Sequence, residues 1–161
     1  MVGVSNFSNT ALLNALRSTR KFTSRKLVVC DFVNRHLLMA YGMDYFGATE
    51  KSEELGKQWI EKNRSILTST PNLEVIKWVD IFVSKEYESN YLFFIERYFN
   101  DSRFRKRIDT CGAKFFEASK LSYSRNYLLE TLAGLKTLNQ TKIICPGKNP
   151  SLSYTMEFLK N

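Results

Sequence analysis

Hydrophobic and polar positions change their period several times along the chain, and the changes divide it into elements. Short apolar runs without alternation occur at Val2–Ser5, Lys26-Leu-Val-Val-Cys-Asp31, Glu74-Val-Ile-Lys-Trp78 and Thr141–Cys145. Runs of that kind suit strands buried on both faces. Between them the apolar residues recur at three-to-four spacing, as on one side of a helix. Ser8, Asn9 and Thr10 offer a cap to a helix with Leu12, Leu13, Leu16 and Phe22 inward. Thr49–Leu67 reads as one long charged helix with Leu55, Trp59, Ile60 and Ile66 inward. Further helices are expected over 85–99, with Tyr91, Phe94, Ile95 and Tyr98 at helical spacing, and over 102–120, 122–138 and 152–159.

Strands that alternate with helices predict a parallel α/β sheet covered on both faces. In such sheets ligands lie at the carboxyl ends of the strands, where Ser5, Asp31 and Cys145 fall. The 161 residues make one domain, 1–161. The strand at its very start leaves room for a missing upstream portion.

Composition narrows the class. The apolar fraction is 43% and the chain has only three Pro and seven Gly, so it reads as globular and without linkers. Twenty-four Lys and Arg against 16 Asp and Glu give a net charge of +8, which favours a polyanionic partner. Cys30, Cys111 and Cys145 are odd in number and contain no CxxC pair, so neither a zinc site nor a disulfide framework is expected. No secretory leader or 18-residue apolar run is present, so a reducing, cytoplasmic location without membrane insertion is expected. Walker A and GxGxxG motifs are absent, and no cofactor is expected.

A serine that ends a strand, such as Ser5, can attack an activated carbonyl; it is equally a loop serine beside a fraying terminus. His36 is the only histidine and is read as structural or exposed rather than as a base. A serine without a histidine needs a substrate that is already activated, such as an aminoacyl ester. Tyr127, Glu130 and Thr131 share a helix face. A phenol beside a carboxyl can orient an amine and shuttle a proton, although a half-buried Tyr with a solvated Glu has the same spacing. Basic residues cluster at Arg17–Lys26 and at Arg103–Arg107, and Lys57, Lys62 and Arg64 punctuate the long helix. These clusters suit phosphates or an ordinary solvated face.

The order of the fragments resembles the tRNA-dependent cyclodipeptide synthases. The fragments are Gly3-Val-Ser5, Asn6-Phe-Ser8 and Leu27-Val-Val-Cys-Asp31. Ala40-Tyr-Gly42 follows, then Gly56 with Lys62-Asn-Arg64, then Lys77-Trp-Val-Asp-Ile81. Tyr98-Phe-Asn-Asp-Ser-Arg-Phe-Arg105, Tyr127-Leu-Leu-Glu130 and Ile143-Ile-Cys145 complete the series. The resemblance implies a Rossmann-like parallel sheet flanked by helices, similar to the class I tyrosyl- and tryptophanyl-tRNA synthetase catalytic domain. It also implies an aminoacyltransferase of secondary metabolism that makes diketopiperazines from two aminoacyl-tRNAs through an acyl-serine, as a monomer without metal.

By that resemblance Ser5 is the nucleophile, Tyr127 positions the amino group, and Glu130 stands in for the family's acid. Gly3, Val28 and Ile144 line the substrate pocket, and Lys57, Lys62 and Arg64 contact tRNA. The chain departs from the family at three points. Thr131 occupies the acid position four residues after Tyr127, with Glu130 one residue early. Pro146 falls where the family has a second tyrosine. If Ser5 belongs to the later Asn-Phe-Ser segment, the nucleophile falls at or before Met1. A catalytically inactive tRNA-binding homologue and an unrelated basic α/β module are the other readings.

Overall fold

Two strands, β1 (Arg25–Val29) and β2 (Leu73–Lys77), run parallel with Leu27 opposite Val75 and Val28 opposite Ile76. Successive side chains leave a strand on opposite faces, so each strand feeds two cores. Leu27 and Val29 join Leu12, Leu16, Trp59 and Leu67 on one face. Val28 joins Trp78, Phe94, Ile108, Tyr127 and Leu132 on the other. That division explains the unbroken apolar run: both sides of β1 are covered.

The computed structural model describes residues 9–114 and 120–138. Among them the expected Rossmann-like sheet is this parallel pair alone, with helices on both faces. The expected strands at 2–5 and 141–145, and the helix at 152–159, lie outside the described residues.

α1 (Asn9–Ser18) precedes β1. α2 (Arg35–Ala40), α3 (Tyr45–Lys62) and α4 (Arg64–Thr68) form the crossover to β2, since parallel strands need a long connection. After β2 come α5 (Trp78–Phe82), α6 (Lys85–Asn100), α7 (Ser102–Gly112) and α8 (Leu121–Leu138). Side-chain oxygens start three of these helices. Asp44 accepts from Gly47 N at 3.0 Å, Ser84 from Tyr87 N at 3.2 Å, and Asp101 from Arg103 N and Phe104 N at 3.0 Å each.

Several expectations need correction. The long helix begins at Tyr45 rather than Thr49, because Asp44 caps it. It breaks at Asn63, whose side-chain amide donates to the Trp59 carbonyl at 2.8 Å, and α4 resumes beyond. In α1, Leu12 and Leu16 are buried but Leu13, rotated about 100° from Leu12, is exposed. Phe22 lies past the helix end and is half-buried. α7 stops at Gly112 rather than running on to residue 120. Trp78, expected as strand, opens α5.

α8 is the centre of the assembly. Every residue from Tyr127 to Leu135 is buried, and the helix packs against α2, α5, α6 and α7. A helix apolar on most of its surface belongs in the middle of a core. Gly134 permits one of these contacts: a Cβ there would stand 2.4 Å from Cζ2 of the fully buried Trp78.

Candidate active site

The carboxyl ends of the two strands are tied together by Asp31. Its Oδ1 accepts the backbone N–H groups of Phe32 at 3.0 Å, Trp78 at 2.7 Å and Val79 at 3.3 Å. A residue just past β1 thereby holds the first turn of α5, just past β2. Burial pushes the Asp31 carboxyl above its ordinary range, prevailing over these N–H donors. The Ser52 hydroxyl donates to the Asp31 carbonyl. Gly56 lets α3 approach it: a Cβ at Gly56 would lie 2.4 Å from the Asp31 Cβ. Asp31 is therefore a brace at the switch from strand to site.

One layer away, α8 presents Glu130 to α2. Arg35 grips it with two parallel bonds, Nη1 to Oε2 at 3.0 Å and Nη2 to Oε1 at 2.6 Å. Arg35 Nη1 also donates to the Phe32 carbonyl at 3.1 Å, and the guanidinium stacks on the Phe32 ring, 3.9 Å from its centroid. His36 Nε2 stands 3.0 Å from Glu130 Oε1. Burial raises the Glu130 carboxyl, but His36 and Arg35 more than offset it and hold the group below the usual carboxylate range. Glu130 is thus a standing buried anion.

Tyr87 and Tyr91 of α6 stack beside this group with ring centroids 6.0 Å apart. Burial, with the Glu130 charge added, pushes both phenols above their ordinary value, Tyr87 farther than Tyr91. The Tyr87 hydroxyl is buried without a hydrogen-bond partner.

The structure brings Tyr127, Glu130 and Thr131 onto α8 as their spacing predicts, and all three are buried. Thr131 donates its hydroxyl to the Tyr127 carbonyl at 2.7 Å, so it serves its own helix. Glu130 is buried rather than solvated. Val28 lies in the same apolar cluster as Tyr127. Ser5, Gly3 and Ile144 lie outside the described residues.

Lys57, Lys62 and Arg64 are exposed, and Arg64 pairs with Glu61 through Nε at 3.0 Å and 3.1 Å. Arg64 and Lys57 border different cavities. Arg64 borders a cavity of about 670 Å³ with Thr23, Ser24, Asn72 and Leu73, while Lys57 borders another of about 490 Å³ with Met43, Glu50 and Glu54. The larger cavity opens at the amino ends of β1 and β2. Asp31, Arg35 and His36 follow the carboxyl end of β1 and are buried, and Arg35 brings in Glu130; α/β sheets hold their ligands at that end. We therefore take the carboxyl-end group as the site.

Sequence reasoning missed Arg35, and it reached His36 only as a structural residue. The available signal was Asn34-Arg-His directly after a buried strand, charged residues where the chain is still in the core. Among the described residues no group of three or more metal-ligating side chains comes together, and no helix is long and apolar enough to cross a membrane.

No family model matches the sequence, and no curated protein matches it. Solved structures do. A CDPS (cyclodipeptide synthase) from Fluoribacter dumoffii superimposes with a TM-score of 0.79 at 17% identity, over 98% of this chain and 80% of that one. A cyclo(L-leucyl-L-phenylalanyl) synthase gives 0.70 at 16% identity, over 95% and 80%. A cyclodipeptide synthase from Streptomyces noursei gives 0.64 at 14% identity, over 97% of each chain. The chain has the cyclodipeptide synthase fold, in a sequence far diverged from these three.

Proposed function

We propose that the chain is an aminoacyltransferase that joins two aminoacyl groups, delivered on tRNA, into a cyclic dipeptide. The observation that carries this reading is the fold, shared over nearly the whole chain with proteins described as cyclodipeptide synthases. The chemistry agrees with the residue inventory. A tRNA ester is already activated, so Ser5 can attack it without the histidine base that an amide would require. The Ser5 oxygen bonds to the aminoacyl carbon, the bond to the tRNA ribose oxygen breaks, and the proton passes to that oxygen. The free amine of the acyl-serine then attacks the ester carbon of the second aminoacyl-tRNA, the bond to that tRNA's ribose oxygen breaks, and the proton lost by the amine passes to that oxygen. The resulting dipeptidyl ester closes when its terminal amine attacks the ester carbon on Ser5, the bond to the Ser5 oxygen breaks, and the amine's proton returns the serine hydroxyl.

In this scheme Tyr127 orients the amine. Glu130 supplies a fixed negative charge toward the developing ammonium. With its carboxyl held low by Arg35 and His36, it stabilises the positive charge that builds on the nitrogen during attack instead of donating a proton. Gly3, Val28 and Ile144 line the pocket for the aminoacyl side chain. Lys57, Lys62 and Arg64 meet phosphates of the first tRNA, in keeping with the net charge of +8.

A second reading is a homologue that binds tRNA and does no chemistry. It is favoured by Thr131, whose hydroxyl is committed to the Tyr127 carbonyl where the family has an acid. Mass spectrometry of medium from bacteria expressing the chain or Ser5→Ala separates the two. Cyclic dipeptides made by the first and lost in the second support the enzyme. Product that survives in Ser5→Ala keeps the activity and removes the nucleophile. No product from folded protein that carries tRNA favours the inactive homologue.

A further inference from the structure

Cations and acids are unevenly matched over this molecule. On α3, Glu50, Glu53, Glu54 and Glu61 stand among Lys51, Lys57 and Lys62, and Lys51 pairs with Glu54 at 2.8 Å. α7 is different. It buries Phe104, Ile108 and Cys111 on one side and leaves Arg103 and Lys106 exposed on the other, with Arg105 exposed at the flank.

The two acids of its own stretch, Asp101 and Asp109, face elsewhere. Asp101 accepts from Arg103 N and Phe104 N and pairs with Arg97 at 3.4 Å. Asp109 accepts the Tyr98 hydroxyl at 2.9 Å and lies 3.3 Å from Arg125. Beside the cations is a largely exposed aromatic side chain, its ring edge-on to Tyr98 with centroids 5.5 Å apart. Phe99 is 67% exposed, and Arg105 donates to its carbonyl at 3.3 Å.

We infer that the outer face of α7, with Phe99 at its edge, is an RNA-binding surface. Its cations take backbone phosphates, and the Phe99 ring takes an unpaired base. Cations interleaved with an exposed ring fit single-stranded nucleic acid, where backbone charge and base stacking act together. α7 itself packs on α8 through Gly112, on its buried side, where a Cβ would come within 2.5 Å of Ser124 Oγ, one turn before Tyr127. This inference rests on the proposed use of aminoacyl-tRNA and adds a second surface for that RNA to the proposed contacts at α3.

The test is fluorescence anisotropy of labelled, unacylated tRNA against the full chain over a series of salt concentrations. The variants are Arg103→Glu/Lys106→Glu, Lys57→Glu/Lys62→Glu and Phe99→Ala. The substituted residues are exposed, and circular dichroism melting checks that each variant folds; Arg103→Gln/Lys106→Gln is the milder substitute. The α7 pair is expected to weaken binding at least about tenfold and to flatten the salt slope by about 0.7–0.9 per lost phosphate contact. Phe99→Ala is expected to weaken binding by about tenfold with the salt slope unchanged, since stacking releases no counterions.

Affinity unchanged in the α7 variants but lost in the α3 variant overturns the inference. So does wild type that binds anionic phospholipid vesicles and not tRNA, or that binds no tRNA. RNA binding through α7 in a chain that makes no cyclic dipeptide keeps this inference while removing the enzymatic reading.

Discussion

Arg35 and Glu130 are 95 residues apart in sequence and meet in a two-bond fork, 2.6 Å and 3.0 Å long, with both side chains almost completely buried. The fork fixes α8 against α2 and keeps a carboxylate charged inside the core. Planar guanidinium and carboxylate match in shape, which makes the pairing directional as well as attractive.

Breaking the fork from one side leaves an uncompensated charge in the interior, and that is where the cost is large. Arg35→Met is expected to destabilise the fold by about 3–5 kcal/mol, measured by urea unfolding. Arg35→Met/Glu130→Leu is expected to recover a substantial part of that loss, because removing both charges removes the desolvation cost with them. A double variant no more stable than Arg35→Met would mean that the fork is not what holds α2 to α8.

The same pair gives acid sensitivity a defined sign. The folded Glu130 carboxyl is held below its ordinary value. Its stabilising contribution is therefore fully present above the unfolded carboxyl value, about 4.3, and is lost as pH falls through the folded value. Asp31 acts the other way. Its folded value is raised, so its contribution weakens as pH climbs through the carboxyl range. Comparing wild type with Glu130→Gln isolates the first effect. The difference in unfolding free energy is expected to be constant from about pH 6 to 8 and to shrink below about pH 4. A difference that stays constant down to the acid transition would show that Glu130 does not change charge on unfolding.

What the sequence revealed and what it hid follow from range. β1, β2, α6 and α8 were legible because their apolar period is sustained and their ends carry clear signals. Tyr127 and Glu130 could be set on one face from spacing alone. Arg35 could not be matched to Glu130, because a contact across 95 residues leaves no local pattern. α2 and α5 are six and five residues long, too short for a helical period to emerge. The break at Asn63 was masked because Ile60, Ile66 and Leu67 continue the apolar stripe across it.

Close packing around Trp78 yields a separate expectation. A Cβ on Gly134 would stand 2.4 Å and 2.5 Å from two atoms of the indole ring, and Trp78 is fully buried with nowhere to retreat. Ala is the better helix former, so local propensity alone forecasts a gain for Gly134→Ala. The overlap is expected to win, giving a loss of about 1–3 kcal/mol in urea unfolding. Gly134→Ala/Trp78→Phe is expected to recover part of the loss by vacating the ring atoms in question. A stabilised single variant would show that α8 can shift away from α5.

Two tyrosines of α6 make a matched pair for the last prediction. The Tyr87 hydroxyl is buried with no hydrogen-bond partner, whereas the Tyr98 hydroxyl donates to Asp109 at 2.9 Å and 3.1 Å. An unpaired buried hydroxyl carries a desolvation cost and gives no bond in return. Tyr87→Phe is therefore expected to change stability by less than about 0.5 kcal/mol, or to raise it. Tyr98→Phe deletes a bond to a carboxylate and leaves Asp109 with Arg125 alone, a loss of about 1–2 kcal/mol, moderated by the partial exposure of that carboxylate. The two variants differ from wild type by the same single oxygen, so urea unfolding at one pH compares them directly. A loss at Tyr87 equal to that at Tyr98 would mean that the Tyr87 hydroxyl has a partner in solution, with Glu130, whose charge raises the Tyr87 phenol, the anion to test by combining Tyr87→Phe with Glu130→Gln.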